Sequence, residues 1–175
     1  YDRPDNLFVA GFIGSPSMNI AQATLVKDDG KVFIELDRGQ TRLRVPDAAL
    51  EQYPGAAQRD GGQVAIGLRP EHFAPADEVA PDQIWRGREV TLVEMLGAEM
   101  LVHFRTDSPP IVSDDMREAI DDEEAFEDLK RQAETGGQTF TARAEPGNPP
   151  KVGSQIEIGF KTEHLHFFDP ENGHA

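Results

Sequence analysis

A chain of 175 residues, 38% of them hydrophobic and 28% charged, has the length and composition of a globular domain that buries a core. The formal net charge of −15, from 17 basic and 32 acidic residues, argues against a partner bound through a phosphate backbone, so we expect no nucleic-acid partner. The absence of cysteine excludes disulfides and thiolate chemistry.

Most of the sequence predicts short strands separated by turns. Asp29-Gly30 favours a tight hairpin, and the alternation through Leu43 and Val45 places these two side chains on one face of a strand. Residues 48–53 predict a short helical turn. In chain order, the predicted strands span residues 23–26, 32–36, 41–45, 64–69, 85–94, 99–105, 155–160 and 164–168. Short strands with short connections predict an all-β barrel or sandwich.

One stretch departs from this pattern. Residues 114–135 place apolar side chains at helical spacing and predict an amphipathic helix. Ser113 can cap its first turn, and Gly136-Gly137 can end it. A disordered acidic loop is the competing interpretation, because carboxylates crowd the stretch. The apolar positions are Met116, Ile120, Phe126, Leu129 and Ala133.

Three blocks of sequence carry distinctive motifs. Residues 1–19 read YDRPDNLFVAGFIGSPSMN, residues 67–73 read GLRPEHF, and residues 93–99 read VEMLGAE. In the second block, Arg69 and Glu71 can form charge-assisted hydrogen bonds across a turn, at a contact with another subunit or with a small ligand. The alternative is an ion pair that only orders the loop. We favour this alternative, because ion pairs at a protein surface usually contribute little energy.

The third block predicts a strand, a turn and a second strand. Gly97 is expected to adopt a positive φ angle, and Leu96 is expected to pack inward. On the strand before the turn, Val90 and Leu92 are expected to share one face. We therefore expect a structural hairpin here.

The five histidines are candidate ligands for a metal ion. His164 and His166 lie two positions apart on a predicted strand, where their side chains would share a face. Zinc would require three or four converging ligands, with Glu163 or Asp169 as candidates. We expect no metal, because an isolated pair of strand histidines more often lies at the surface or packs in the fold.

Motifs for catalysis are missing from the sequence. It contains no GxxxxGK[ST] loop for nucleotide phosphates, and no GxGxxG, GxSxG or HExxH. We therefore expect no catalytic residue, no cofactor-binding residue and no enzyme activity in this chain.

The three blocks, with residues 163–173 (EHLHFFDPENG), resemble the C-terminal regulatory domain of ATPase subunits in bacterial carbohydrate-import ABC transporters of the maltose, trehalose and glycerol-phosphate type. The first block is similar to the junction that follows the nucleotide-binding domain in that family. The resemblance implies an all-β, OB-like barrel or sandwich (TOBE, MOP-like) with one acidic amphipathic helical insertion. The implied layout is a junction over residues 1–20 and an OB-like regulatory domain over residues 21–175, with the insertion at about 108–138.

The resemblance also implies partners. A missing N-terminal ATPase domain would bind ATP and Mg²⁺ and drive sugar uptake, while this part tethers two ATPase subunits as a homodimer and offers a surface to a regulatory protein. Membrane permease subunits would be indirect partners, and the location would be cytoplasmic, at the inner face of the cell membrane. The residues expected to contact a subunit or a ligand are Met18, Asn19, Arg69, Glu71, His72 and Glu94.

A second hypothesis is an OB-like domain that senses a small oxyanion or a sugar. Domains of this type in related oxyanion importers form a pocket for molybdate-like anions. Such a pocket requires backbone N–H groups, hydroxyls or arginine converging at one place, and residues 93–99 do not supply them in excess.

Overall fold

The fold is described by a computed structural model that covers residues 6–12, 14–57, 61–112, 123–170 and 173–175. The strands are β1 (Asn19–Asp28), β2 (Lys31–Leu36), β3 (Thr41–Val45), β4 (Gln63–Leu68), β5 (Phe73–Pro75), β6 (Ile84–Met95), β7 (Met100–Thr106), β8 (Gln138–Ala144), β9 (Gln155–Phe160) and β10 (His166–Phe168). The α-helices are α1 (Leu7–Phe12), α2 (Asp47–Glu51), α3 (Pro54–Ala57) and α4 (Glu123–Thr135).

The strands form two antiparallel sheets of five strands each. The first sheet has the order β10-β4-β1-β2-β3, and the second has the order β5-β9-β6-β7-β8. The second sheet curls, because its edge strands β5 and β8 approach each other. The predicted all-β class is confirmed.

The first three strands follow the sequence pattern closely. Asp28 pairs with Lys31, and Asp29 and Gly30 form the intervening turn with φ angles of 48° and 73°. These positive angles are the ones that a tight antiparallel hairpin requires. In β3, alternate residues are buried, as predicted from their spacing.

An aromatic cluster joins the two sheets. Trp85 lies 5.7 Å from Phe104 and 5.5 Å from Phe140, measured between ring centroids, and Phe73 lies 5.0 Å from Phe160. All three pairs are edge-to-face, a geometry that adds about 1 kcal/mol per pair beyond the burial of area. The first sheet contributes to the same cluster the aliphatic side chains of Leu25, Ile34, Leu43 and Ile66.

The carboxylate of Asp37 is a polar link between the sheets. Asp37 lies in the 3₁₀ turn between β2 and β3, and it is fully buried. It accepts hydrogen bonds from Thr41 Oγ1 and Trp85 Nε1, both at 2.6 Å. Thr106 Oγ1 donates to it at 2.7 Å, and Arg88 Nη1 lies 2.9 Å away. Trp85, Arg88 and Thr106 belong to the second sheet, so one carboxylate connects both layers.

The pKa of Asp37 reflects this environment. Burial alone would raise the pKa, but the hydrogen bonds from Thr41, Thr106 and Trp85 and the charge of Arg88 bring it below the ordinary 3.8. Because the folded pKa lies below the unfolded one, the ionised carboxylate stabilises the fold above pH 3.8. That stabilisation is lost as the pH falls through the lowered folded pKa.

Asn19 makes a second link between the sheets. Its Nδ2 donates to the carbonyl oxygens of Leu68 and Thr141, each at 2.9 Å. Its Oδ1 accepts a hydrogen bond from the Thr141 N–H at 2.7 Å. Leu68 ends β4 in the first sheet and Thr141 lies in β8, so the Asn19 side chain satisfies the Thr141 backbone groups on the edge of β8 that has no partner strand among the described residues.

Two strands have no counterpart among the predicted ones. The strand β5 spans three residues and ends in Pro75, so it is too short to show an alternating pattern. The strand β8 buries Phe140 and Ala142, and the small size of the second weakens the hydrophobic signal. The strand β1 begins at Asn19, earlier than predicted, because its small apolar residues pair with β4.

The β6–β7 hairpin departs from its predicted packing. Gly97 adopts a φ of 79°, as predicted. Leu96 is 53% exposed, so the prediction that it packs inward is wrong. Val90 is fully buried, whereas Leu92 is 48% exposed, so the prediction that they share a face is also wrong. The register with β7 shifts between these two residues, and such an irregularity turns later side chains to the other face.

The helices lie at the periphery of the sheets. The helix α1 falls in the segment expected to be a junction, and it buries Leu7 and Ala10 against Met18 and Phe168. The predicted acidic helix is confirmed over α4, where Phe126 is buried. Ser113, Met116 and Ile120 lie outside the described residues, as do the side chains of Leu129 and Ala133. Within the described part of the chain, no helix is long and apolar enough to span a membrane.

We predict that Asp37→Asn lowers the free energy of unfolding at neutral pH by about 3 kcal/mol, because a neutral amide leaves the buried guanidinium group of Arg88 without its counter-charge. Urea denaturation followed by the fluorescence of Trp85, the one tryptophan, measures the change. Below pH 3.8 the wild-type chain should lose stability more steeply than the variant.

Asp107→Asn is the matched control for this substitution. The backbone N–H of Asp107 donates to Asp37 at 2.8 Å, but its own side chain is exposed, so we expect a change of about 0.5 kcal/mol or less. Equal effects of the two substitutions would contradict the role of Asp37 as the link.

Candidate functional site

A cleft of about 330 Å³ opens where turns from the two sheets meet. One wall is the 3₁₀ turn Pro70–His72, which joins β4 to β5, and the other is the 3₁₀ turn Thr162–His164, which joins β9 to β10. We call this site the histidine cleft. Its central side chains are those of Tyr53, Arg69, Glu71, His72, His164 and His166.

Backbone hydrogen bonds hold the two turns side by side. Pro70 cannot donate to a strand ladder, so it favours an end to β4, and the His72 N–H closes the turn on Arg69 O at 3.0 Å. The Lys161 N–H then donates to His72 O at 3.0 Å, and the His164 N–H donates to Lys161 O at 2.9 Å. His72 and His164 are thereby placed side by side although they are distant in sequence.

The rings of His72 and His164 stack. Their centroids are 4.1 Å apart and their planes differ by 18°. Burial lowers the pKa of His72 below 6.5, and the charge of His164 lowers it further, against the opposing effect of Glu71. The ring of His72 is therefore neutral at pH 7, with one donor and one acceptor nitrogen.

The Nδ1 atom of His72 is buried and has no hydrogen-bond partner among the described residues. Buried polar atoms are normally paired, so an unpaired one at the wall of a cleft marks a place where a ligand or a water can bind. The amide of Gln52 and the carboxylate of Glu163 line the same cleft. This arrangement can donate to and accept from a small polar molecule.

His166 is a further residue of the cleft lining. Its Nδ1 is 3.0 Å from the Tyr53 hydroxyl, and it is buried at the start of β10. His164 is exposed and lies in a 3₁₀ turn, so the prediction that the two histidines share one strand face is wrong. The strand starts later than predicted. No group of three His, Asp or Glu side chains in the described residues is placed to hold a metal ion.

The structure brings three of the expected contact residues together. Arg69, Glu71 and His72 all line the histidine cleft, and Arg69 is only 3% exposed. The predicted hydrogen bonds between Arg69 and Glu71 stay a prediction. Gln52 and Tyr53 were not expected at this site, since they follow α2 and nothing in their local sequence relates them to the GLRPEHF block.

The other three expected residues lie elsewhere. Met18 is buried, and its Sδ occupies the space where a Cβ at position 67 would lie, which explains the glycine there. Asn19 links the sheets. Glu94 Oε2 lies 2.7 Å from His103 Nε2 on the exposed part of the β6–β7 hairpin.

Most of the chain matches known domains. Residues 14–73 match the MalK OB fold domain, and residues 66–128 match the TOBE domain. The OB-like, TOBE-type fold expected from the sequence is therefore confirmed. The division into a junction over residues 1–20 and a domain over residues 21–175 stays a prediction.

The chain is also similar to proteins of known role. It is 34% identical to the trehalose import ATP-binding protein SugC of Mycobacterium tuberculosis, over 99% of this chain and 41% of that protein. It is 31% identical to the sn-glycerol-3-phosphate import ATP-binding protein UgpC of Paraburkholderia xenovorans, over 99% of this chain and 38% of that protein. The chain thus spans about two fifths of the length of these curated relatives.

A solved structure shares the fold. It is a crystal structure of the cytoplasmic molybdate-binding protein ModG with molybdate bound, and the TM-score is 0.52. The match covers 87% of this chain and 96% of that chain at 12% sequence identity. At this identity the similarity shows the fold alone.

We predict that His164→Gln raises the pKa of His72, because it removes a neighbouring positive charge. An NMR titration of the imidazole resonances measures the pKa. His103→Gln is the control, because His103 lies on β7 outside the lining of the cleft, and it should leave the pKa of His72 unchanged. A wild-type pKa of His72 above 6.5, or no response to His164→Gln, would contradict the effect of the stack.

Proposed function

We propose that this chain, which belongs to the families of the MalK OB fold domain and the TOBE domain, is the regulatory and dimerisation part of the ATP-binding subunit of a carbohydrate ABC importer. The observation that carries the proposal is the match of 99% of the chain to import ATP-binding proteins. ATP and Mg²⁺ would bind to the remainder of the subunit. The permease subunits would hold the assembly at the inner face of the cell membrane.

The mechanism that we propose for this part is a tether. The sequence has no P-loop, so its contribution to ATP hydrolysis is to keep two ATPase subunits together while their nucleotide-binding parts open and close. A tether raises the effective concentration of one subunit near the other without contacting the nucleotide.

The end of the β6–β7 hairpin supports self-association. We call residues 92–96 the hairpin tip. Leu92, Met95 and Leu96 are 48%, 54% and 53% exposed, and they are three of the four large apolar side chains that the described residues expose. Large apolar side chains that are exposed close together mark an interaction surface.

The strand β6 also offers an open backbone edge beside these side chains. From Ile84 to Glu89 it pairs with β9, and the loop at Ser154 extends this cover to Val90. From Leu92 to Met95 its only partner strand among the described residues is β7. Two copies related by a two-fold axis can pair these edges and cover the apolar side chains of both.

We predict that the wild-type chain forms a dimer. Met95→Lys with Leu96→Lys should weaken the affinity of dimerisation by about tenfold or more, because the introduced lysines of the two copies would be buried facing each other across the axis. Sedimentation equilibrium measures the dissociation constant.

The matched control adds the same charge at exposed sites away from the hairpin tip, by Gln40→Lys with Thr139→Lys. A wild-type chain that stays monomeric at high concentration would contradict dimerisation. Equal weakening by the control would contradict the assignment of the hairpin tip.

A second candidate function is the sensing of a small ligand at the histidine cleft. The buried, unpaired Nδ1 of His72 favours it, because a sugar hydroxyl could donate to that atom, and an oxyanion could accept from it in the tautomer that carries the proton on Nδ1. The fold is shared with a molybdate-binding protein, so an oxyanion is one ligand class to test, and a sugar is the other.

For this candidate we predict heat on titration with molybdate, sulfate, trehalose or maltose in a calorimeter. His72→Phe keeps the ring and removes both nitrogens, so it should abolish the heat. His103→Phe is the control and should retain it. No heat with any of the four compounds would remove the candidate.

A further inference from the structure

A groove of about 740 Å³ runs along the seam between the two edge strands of the second sheet. Among the described strands, β5 is hydrogen-bonded to β9 alone and β8 to β7 alone, so β5 and β8 approach each other as unpaired edges. We call this site the seam groove. It adjoins the histidine cleft through Glu71, and it shares no residue with the hairpin tip.

The floor of the seam groove is apolar. Small side chains from the edge strands leave the space open, and larger side chains from β7 and β9 form its base. The floor includes Ala74, Ala142, Ala144, Met100, Val102 and Ile156. A floor of this kind accepts apolar side chains of moderate size, because the burial of apolar area on both sides is favourable.

The rim of the seam groove is acidic. It carries five carboxylates and two cations, Arg143 and Lys161. Arg143 Nε lies 3.2 Å from Glu99 Oε2, and Arg86 Nε lies 3.4 Å from Glu157 Oε1, so two of the five carboxylates are already paired. Glu78 and Glu145 have no ion pair among the described residues. The rim therefore presents uncompensated negative charge above an apolar floor.

The backbone of β8 contributes a third feature. Asn19 binds both backbone groups of Thr141, so these groups point away from β7, toward the outer edge of the sheet. In an antiparallel ladder every second residue points the same way, which places the backbone groups of Arg143 on this outer edge too. Asn19 already satisfies Thr141, so an extended segment in the groove can pair with β8 at Arg143.

We propose that the seam groove binds an extended segment of a partner protein in which apolar residues alternate with lysine or arginine. In an added strand, alternate side chains point to opposite faces, so the apolar set enters the floor while the basic set stays near Glu78 and Glu145. The same rim repels the phosphates of nucleic acid. This inference rests on the proposed regulatory function. It adds to that function the chemistry of the segment by which a regulator would dock.

The test uses the complete chain and two labelled synthetic peptides, one that alternates valine with lysine and one that alternates valine with glutamate. Fluorescence anisotropy at physiological ionic strength measures binding, so that distant charges are screened. The lysine peptide should bind at least about tenfold more tightly than the glutamate peptide.

Charge variants then locate the site. Glu78→Lys with Glu145→Lys should weaken binding of the lysine peptide by about tenfold. Glu51→Lys with Glu123→Lys changes the net charge equally, on α2 and α4 outside the groove, and should weaken it by about twofold or less. Ala144→Phe fills the floor and should abolish binding while the circular dichroism spectrum stays unchanged.

Four results would overturn the proposal. The first two are no binding of the lysine peptide and equal binding of both peptides. The third is an equal loss of affinity for the lysine peptide in the two charge variants. The fourth is a change of self-association in the Glu78 and Glu145 variant, which would assign the groove to a second copy. If Ala144→Phe fails to fold, the charge variants alone decide. We expect the lysine peptide to bind equally well to the variant with Met95→Lys and Leu96→Lys. Peptide binding would then not depend on the proposed dimer, and the two proposals are tested separately.

Discussion

The buried carboxylate of Asp37 is the constraint on which the arrangement of the two sheets depends. It lies in a turn of the first sheet, yet the groups that donate to it from Trp85, Arg88 and Thr106 belong to the second. A buried charge is tolerated only when it is paired and fully hydrogen-bonded, so the sheets must adopt the one relative position that supplies these donors. Apolar contacts in the aromatic core supply attraction, but they are less directional.

The same arrangement of strands and turns produces three different surfaces. The histidine cleft forms because turns that connect the two sheets meet at one end. The seam groove forms because the second sheet curls until β5 approaches β8 without pairing. The β6–β7 hairpin extends past β9, which leaves an open edge and exposed apolar side chains. In the proposed role, the hairpin tip would serve a second copy, and the histidine cleft and the seam groove, which share Glu71, would serve a small ligand and a regulatory segment.

Local patterns in the sequence were sufficient for several elements. The Asp29-Gly30 turn, the alternation in β3 and the positive φ angle of Gly97 depend on neighbouring residues only, and all were predicted. Packing that depends on a partner strand was harder to predict from the sequence. The exposed position of Leu92 follows from a register shift against β7, and no local pattern encodes such a shift. In the same way, β8 became a strand because it pairs with β7 and is held by Asn19, although its own hydrophobic signal is weak.

By itself, the sequence determined the all-β class, the acidic helix over α4 and the similarity to OB fold and TOBE domains, because turn residues, alternation and motif blocks are local and ordered along the chain. It also marked Arg69, Glu71 and His72 as neighbours, since they share one turn. Only the tertiary structure placed His164 on His72, closed β5 toward β8, and gave Met18 and Asn19 their places inside the fold. These contacts join residues that are far apart in sequence, and their geometry is set by the packing of two sheets around one buried carboxylate.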